Sequence, residues 1–431
     1  MARELAKAGF YFAAVPYIKN YLVEGRKVGS GSVDDIIDDI TTHVGVRPFE
    51  VLSSSILTNP RAPIIRFILA KKHFRTREYA SALRNLAYVP NNHSMKPFAL
   101  MLEGSIHSLQ NAHKKAIRAY RKCIDKSNDN LSREKIKARR RQLAINRDNC
   151  IVGIPRTQFA ASIYEEAHIT YLDLPKNSFI WPEILFEEAW NSFYQRNYNR
   201  TLGKLVTYKA PILRHVFNPE IEVLRALTYM ELCLWEDAKL TVDKFYQKYQ
   251  KGSKRVDRYI SLYGKDYKHF FNLAKDFIRG EKRGRELLEQ MLNDITRDGT
   301  FLELFDSFRR GLVEYKRTSS IRSKRLRSLL KKDIKSILVL QRNLIGSYVR
   351  KRLQIHQSEV FKALKGMSFI KLEVLAKSKK ELYNPEAEDR SRGDIRNLKR
   401  TSQQYFWGFN GEFWADEIGD HIFSLQSECR E

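Results

Sequence analysis

The groups in this 431-residue chain that could carry out chemistry are ten histidines, four cysteines and several adjacent carboxylates. Hydrolytic, phosphate-binding and metal centres have characteristic sequence motifs, such as HExxH, GxSxG or GxxxxGK. None of these patterns occurs, and the nearest two histidines, His107 and His113, lie six residues apart, which does not suit a ligand pair on one helix. Carboxylate pairs such as Glu165 with Glu166 fit solvated helix faces. We therefore predict no enzymatic activity, no metal site and no cofactor.

The cysteines allow two interpretations. No two of the cysteines are spaced as a CxxC pair, which argues against a zinc site; they are Cys123, Cys150, Cys233 and Cys429. Their even number permits Cys123–Cys150 and Cys233–Cys429 disulfides in an oxidising compartment. The alternative is that Cys123 and Cys233 are small buried apolar residues on helices.

The charge of the chain is strongly basic. Lysine and arginine outnumber the acidic residues by 27, and the isoelectric point is about 9.8. This excess favours an anionic partner, either nucleic acid, an anionic membrane surface or an acidic protein, although a solvated basic surface explains it as well. A hydrophobic content of 43% is enough for a core. No run of eighteen apolar residues occurs, so we predict no membrane span.

The elements that position these residues follow a repeated helical pattern. A small residue is followed nine positions later by an aromatic residue or histidine, and then by three further positions that share one helix face. Four stretches fit: Ala70, Tyr79, Ala82, Leu86 and Val89; Gly104, His113, Ala116, Tyr120 and Cys123; Ala189, Tyr198, Thr201, Leu205 and Tyr208; Ala226, Trp235, Ala238, Val242 and Phe245. The first two small residues are 34 positions apart. The pattern predicts helical hairpins that must stack to bury their apolar faces.

On these residues the chain resembles a tetratricopeptide-repeat (TPR) protein, most clearly over residues 60–252. The resemblance implies an all-α fold, with a TPR-like solenoid over residues 1–252, and a non-catalytic scaffold or adaptor that binds a protein partner in its concave groove. By analogy with such folds, first-helix residues line that groove. The candidates are Arg66, Lys72, Leu100, Glu103, His107, Asn191, Tyr194, Arg225 and Tyr229.

Between the repeats, the pattern predicts a basic helix over residues 131–149 and a turn over residues 152–155. Beyond residue 252 we predict a long basic helical region to residue 384, because no proline occurs between Pro219 and Pro385. Residues 309–352 hold fifteen lysines or arginines and two acids. The candidate basic face comprises Arg322, Lys324, Arg325, Arg327, Lys331, Lys332, Lys335, Arg350, Lys351 and Arg352.

The last region, 385–431, is predicted to be a charged linker followed by an aromatic tail that docks back on the helices. The basic segments 133–147 and 309–352 also support an alternative function, in which a helical protein binds the phosphate backbone of a nucleic acid.

Two short stretches bear on location. YNRTLGKLVTYKAP at 198–211 and FNGEFWADEIGDHIFSLQSEC at 409–429 resemble stretches of periplasmic TPR-like proteins of Gram-negative bacteria. The first residues already fit a second-helix pattern, with Tyr11, Ala14 and Ile18 on one face. We therefore expect either a periplasmic protein whose leader was removed or a cytoplasmic one. The partner is then an acidic or envelope-associated protein.

Overall fold

The fold is known from a computed structural model that describes residues 1–24, 31–58, 62–281, 286–381, 398, 402, 406, 408–409 and 411–429. Every regular element in these ranges is a helix, and they contain no β-strand. The all-α prediction is therefore confirmed. None of the helices in these ranges combines the length and the apolar character needed to cross a membrane. The predicted charged linker lies almost entirely outside the described residues.

The helices are numbered in chain order. The first ten are α1 Ala2–Lys7, α2 Tyr11–Glu24, α3 Gly31–Val44, α4 Arg47–Glu50, α5 Ser54–Thr58, α6 Pro63–Arg75, α7 Tyr79–Ala87, α8 Lys96–Leu109, α9 His113–Arg133 and α10 Lys137–Ala160. The others are α11 Tyr164–Tyr171, α12 Trp181–Tyr194, α13 Tyr198–Val206, α14 Glu220–Glu231, α15 Trp235–Tyr263, α16 Tyr267–Ile278, α17 Glu286–Arg297, α18 Gly299–Arg317 and α19 Lys324–Glu381.

The chain forms two compact units. Unit 1 comprises Met1–Ala161, Tyr267–Asn272 and Asp298–Tyr348, whereas unit 2 comprises Ser162–Asp266, Leu273–Arg297 and Val349–Glu431. The long helix α19 thus contributes its first part to unit 1 and the rest to unit 2. The boundaries drawn from the sequence after residues 252 and 384 stay a prediction.

Successive helix pairs are joined by three-residue turns of one geometry. The central turn residue has a positive φ of 56–62°, and in the described part of the chain it is Arg77, Asn111, Ser162, Arg196 or Cys233. In the first of these turns the Arg77 N–H donates to the Phe74 carbonyl and the Glu78 N–H to the His73 carbonyl. The same two hydrogen bonds recur around Asn111, Arg196 and Cys233. The nine-residue spacing in the sequence therefore corresponds to one repeated turn.

The small residue of the pattern is the point of closest helix approach. Ala70, Ala189 and Ala226 are fully buried at this position. In the pair α8–α9 the position is Gly104, where an added Cβ would lie 2.6 Å from the Tyr120 ring. The four predicted repeats each form a helical hairpin, because the small residue lets the two helices approach closely.

The sequence prediction for the region between the repeats is wrong in one place. Residues 152–155 form no turn, because α10 runs through Pro155 and ends at Ala160. A proline inside a helix costs roughly 3 kcal/mol. Here Val152, Ile154 and Pro155 itself are buried, and an added Cβ on Gly153 would lie 2.6 Å from the Tyr120 ring. Packing of this apolar stretch in unit 1 offsets the missing hydrogen bond.

Candidate partner-binding surfaces

The predicted groove residues of unit 1 divide into accessible and buried ones. Arg66, Lys72, Glu103 and His107 lie on the first helices α6 and α8 and are all partly exposed. Leu100, on α8, is only 4% exposed and packs in a core cluster with Tyr120, Cys123 and Cys150. Leu100 is therefore a core residue, and its assignment to the groove is corrected.

Arg66 is held in place by its own hairpin. Its Nη1 donates to Asn85 Oδ1 at 3.2 Å, and the guanidinium carbon lies 5.0 Å from the centre of the Tyr88 ring. Its Nε is buried and has no hydrogen-bond partner among the described residues. This arrangement fixes a cation between α6 and the end of α7 in a defined direction, which suits recognition of a carboxylate.

In unit 2 the groove candidates centre on an aromatic patch. Tyr194 is 52% exposed, and its ring stacks on Tyr164 at a centroid distance of 5.4 Å. The ring centroids of Trp190 and Phe193 lie 6.0 and 6.2 Å from that of Tyr194. Rigid, partly exposed aromatic side chains of this kind are typical anchors in protein interfaces.

The other unit 2 candidates are less accessible. Arg225 donates to Glu222 at 2.7 Å and to the Leu205 carbonyl at 3.4 Å, so it joins α14 to α13. Tyr229 is partly buried against an apolar cluster. Asn191 is fully buried, with Nδ2 donating to the Tyr164 carbonyl at 2.9 Å. Asn191 therefore joins α12 to α11, and its assignment to the groove is corrected.

The basic face of unit 1 lies at the start of α19. Arg322, Lys324, Arg325, Lys332 and Lys335 are exposed there. Two further cations are engaged: Arg327 donates to the Ile321 carbonyl, and the Lys331 ammonium lies 5.8 Å from the Tyr315 ring centre.

The two acids of the basic segment point inward. Glu314 is 6% exposed and accepts hydrogen bonds from the Phe12 and Ala13 N–H groups at 3.1 and 3.0 Å, at the start of α2. Asp333 accepts from the Tyr17 hydroxyl at 3.0 Å. Because both carboxylates are engaged with α2, neither neutralises the exposed cations on the surface.

The predicted basic face does not continue unbroken to residue 352. Arg350, Lys351 and Arg352 belong to unit 2. Arg350 donates to the Gly264 carbonyl, and Arg352 donates to Asp294 at 3.4 Å. Of these three residues, Lys351 is exposed and the two arginines are partly buried. Arg350 and Arg352 therefore stabilise unit 2, and their assignment to one basic surface is corrected.

A buried ionic cluster in unit 2 was missed by the sequence analysis. His356 is 2% exposed and lies between two carboxylates, with Nε2 3.0 Å from Asp294 Oδ2 and Nδ1 2.9 Å from Glu359 Oε2. Burial by itself lowers the pKa of His356, but the adjacent carboxylates of Asp294 and Glu359 outweigh it and raise that pKa above its ordinary value. The spacing of His356 and Glu359 is visible in the sequence, whereas Asp294 is brought in from α17 by folding.

A second histidine of unit 2 has the opposite environment. Burial, together with the cations Arg200 and Lys204, lowers the pKa of His168 to about 4. Its Nε2 lies 2.7 Å from Arg200 Nη1, so the neutral ring accepts a hydrogen bond from the guanidinium. Lys204 itself is buried in an ion pair with Glu188. The described residues contain no cluster that could hold a metal ion.

All four cysteines are paired in disulfides. Cys123 and Cys150 are fully buried and join α9 to α10 in unit 1. Cys233, in the turn between α14 and α15, is bonded to Cys429 near the end of the chain. The two pairs are those that the sequence permits.

No protein-family model, curated protein or solved structure matches the chain.

Proposed function

We propose that this chain is a non-catalytic scaffold or adaptor, which binds a protein partner along the concave face of a TPR-like stack of helical hairpins. The observation that carries the proposal is a repeated hairpin geometry. In each hairpin a small buried residue of the first helix lies seven positions before the turn residue that has a left-handed backbone conformation. Hairpins of one geometry stack in a regular series and leave their first helices side by side. Such a row of helices is a surface for a protein, not a pocket for a small substrate.

The accessible first-helix residues of each unit suit a protein interface. Those of unit 1 are Arg66, Lys72, Glu103 and His107, and unit 2 has the aromatic patch around Tyr194. Aromatic anchors and arginine are enriched among residues that dominate binding energy. An acidic, envelope-associated protein matches this set, given the net charge of +27.

A photo-crosslinking experiment in the native host tests this proposal. A benzophenone amino acid replaces Lys72 or Tyr194 in the groove, or Arg121 on the exposed face of the second helix α9. We expect each groove position to crosslink a protein partner that Arg121 does not crosslink. Equal crosslinking of the same partner from Arg121, or no crosslinking from either groove position, would contradict the proposal.

We also propose that the protein works in an oxidising compartment, the periplasm of a Gram-negative bacterium. The two disulfides support this location, because structural disulfides are rare in the reducing cytosol. Thiol counting under denaturing, non-reducing conditions provides the test. Protein isolated from its native host should have no free thiol, and four free thiols would contradict the periplasmic location.

The exposed cations at the start of α19 favour a second candidate function, nucleic-acid binding. A mobility shift with mixed RNA and DNA at low and high salt tests it. If this function holds, the triple variant Arg322→Glu, Lys324→Glu, Arg325→Glu should weaken binding at least tenfold, and the wild-type affinity should fall steeply with salt. Absence of a shift at low salt would remove this candidate.

A further inference from the structure

The C-terminal segment, residues 411–429, lies as a non-helical strap on α12, α13 and the α14–α15 turn of unit 2. Its closest approach is at Gly203 in α13, where an added Cβ would lie 1.7 Å from the His421 carbonyl oxygen. Only a glycine allows the backbone of another segment to reach a helix this closely. The surface of α13 is therefore shaped to receive a peptide backbone.

Asn199 recognises the backbone of the C-terminal segment. Its Nδ2 donates to the Leu425 carbonyl at 3.1 Å, and its Oδ1 accepts from the Leu425 N–H at 2.9 Å. The Phe423 N–H donates to the Asn199 carbonyl at 3.1 Å. A side-chain amide that binds both the N–H and the C=O of one residue holds an extended chain without reading its side chain. Further along, the Glu428 N–H donates to the Leu232 carbonyl at 2.9 Å.

The same surface provides an apolar pocket. Phe423 is 9% exposed and packs in a cluster whose other buried members are Leu202, Val206, Leu232 and Leu234. Leu425 lies at the edge of this cluster. Nearer the start of the segment, Gly419 packs on the Trp181 ring, where an added Cβ would lie 2.8 Å from the indole.

One lysine, Lys176, favours an acidic residue in the bound peptide. The Lys176 ammonium lies 2.7 Å from Asp420 Oδ2 and donates to the Asp416 carbonyl at 2.8 Å. The buried Lys204, paired with Glu188, also donates to the Gly419 carbonyl at 3.4 Å. The surface thus selects an acidic residue that is followed three and five positions later by large apolar residues, as Asp420, Phe423 and Leu425 are.

The end of the segment is tied covalently to the surface by Cys233–Cys429. Cys429 is exposed, whereas Cys123 and Cys150 are fully buried. A dithiol therefore reaches the Cys233–Cys429 disulfide first. In that step the S–S bond takes up two electrons and two protons to give two thiols, and the dithiol is oxidised to its own disulfide.

We propose that this surface is a binding site for an extended acidic–apolar peptide, which the chain's own C-terminal segment fills in cis and the Cys233–Cys429 disulfide holds there. After reduction by a dithiol the segment dissociates reversibly, and a partner peptide of the same chemistry binds in its place. The contacts come mainly from α13 and from loops, with Trp181 and Tyr229 contributing from the first helices α12 and α14.

Binding of a labelled peptide tests the site. The full-length variant Phe423→Asp, Cys429→Ser weakens the segment in cis, and a fluorescein-labelled peptide of residues 411–428 is then titrated by fluorescence anisotropy. We expect binding that is at least tenfold stronger than that of a scrambled peptide of equal composition. Adding Asn199→Ala or Gly203→Ala should weaken binding at least tenfold, whereas Asn128→Ala, on exposed α9, should not. Equal binding of both peptides overturns the proposal.

Hydrogen exchange of the wild-type protein provides a second test that needs no variant. Addition of a dithiol should speed exchange at the Phe423, Leu425 and Glu428 amides at least tenfold, while the amides of α12–α14 keep their protection. If α12–α14 lose protection together with the segment, the segment is part of the core rather than a bound peptide, and the proposal is wrong.

Discussion

At the scale of single residues, the turns between the helices carry a backbone cost. Their central positions need a left-handed conformation, which an L-residue adopts at a cost of roughly 1–2 kcal/mol relative to glycine. None of the residues with this role in the described turns is a glycine. Sequence reasoning expects glycine at helix ends, so it could place these turns by the nine-residue spacing but could not identify the strained residue.

Replacing the strained turn residues by glycine should therefore stabilise the protein. We expect Arg77→Gly and Arg196→Gly each to raise the free energy of unfolding by about 0.5–1 kcal/mol, since the relief of strain exceeds the entropy that glycine adds to the unfolded chain. Urea denaturation measures the change. Arg121→Gly, on the exposed face of α9, is the matched control and should lose about 1 kcal/mol. A loss of similar size at Arg77 would contradict the turn geometry.

His356 gives unit 2 a pH-dependent stability. Its pKa is raised in the folded state, so the folded protein holds a proton that the unfolded chain releases at lower pH. The resulting stabilisation is fully present below pH about 6.5, the ordinary pKa of histidine, and is lost as pH rises through the folded pKa. The groups that face the ring are Asp294 and Glu359, with Arg352 nearby.

The melting temperature of the wild-type protein should therefore fall more steeply between pH 6 and pH 9 than that of His356→Gln, which cannot take up the proton. Thermal melts followed by circular dichroism at several pH values measure the difference. Parallel curves for the two proteins would show that the proton on His356 does not stabilise unit 2.

At the scale of elements, contacts distant in sequence position the helices. The start of α2 is capped by Glu314, which is 302 residues away from Phe12 along the chain. The sequence predicts the helix pattern of α2 and a long helical region that contains α18 and α19, and the structure has these helices. The sequence could not predict the cap, because no neighbouring residue distinguishes Glu314 from a solvated carboxylate. The sequence likewise could not predict that α10 continues through Pro155. Proline disfavours a helix locally, whereas the packing that overrides this tendency involves residues distant in sequence.

Removing the cap should destabilise unit 1. Glu314→Ala leaves the N–H groups of Phe12 and Ala13 buried without partners, at a cost of about 2–4 kcal/mol. Denaturation monitored by circular dichroism gives the value. Asp125→Ala, on exposed α9, should change stability by less than about 0.5 kcal/mol. If the two variants lose equal stability, Glu314 does not hold the start of α2.

At the scale of the whole molecule, the sequence specifies the fold class and the hairpins but not the accessible face. The repeated spacing comes from local helix geometry, which sequence patterns report directly. Accessibility depends on neighbouring helices, and so Leu100 and Asn191, which share first-helix positions with accessible candidates, are buried. The division of the basic segment between two units has the same origin, because α19 continues through both.

The proposed binding of a protein partner to the first-helix face can be tested with a pair of charge-swapped variants. Lys72→Glu with Glu103→Lys alters this face, and Arg121→Glu with Asp125→Lys alters exposed positions of α9, while both leave the net charge unchanged. Proteins that co-purify from the native host are quantified by mass spectrometry. We predict that wild type and the α9 variant retain the same partner and that the first-helix variant loses at least 90% of it, a tenfold change of about 1.4 kcal/mol. Retention of the partner at the wild-type level by the first-helix variant would show that this face does not bind the partner.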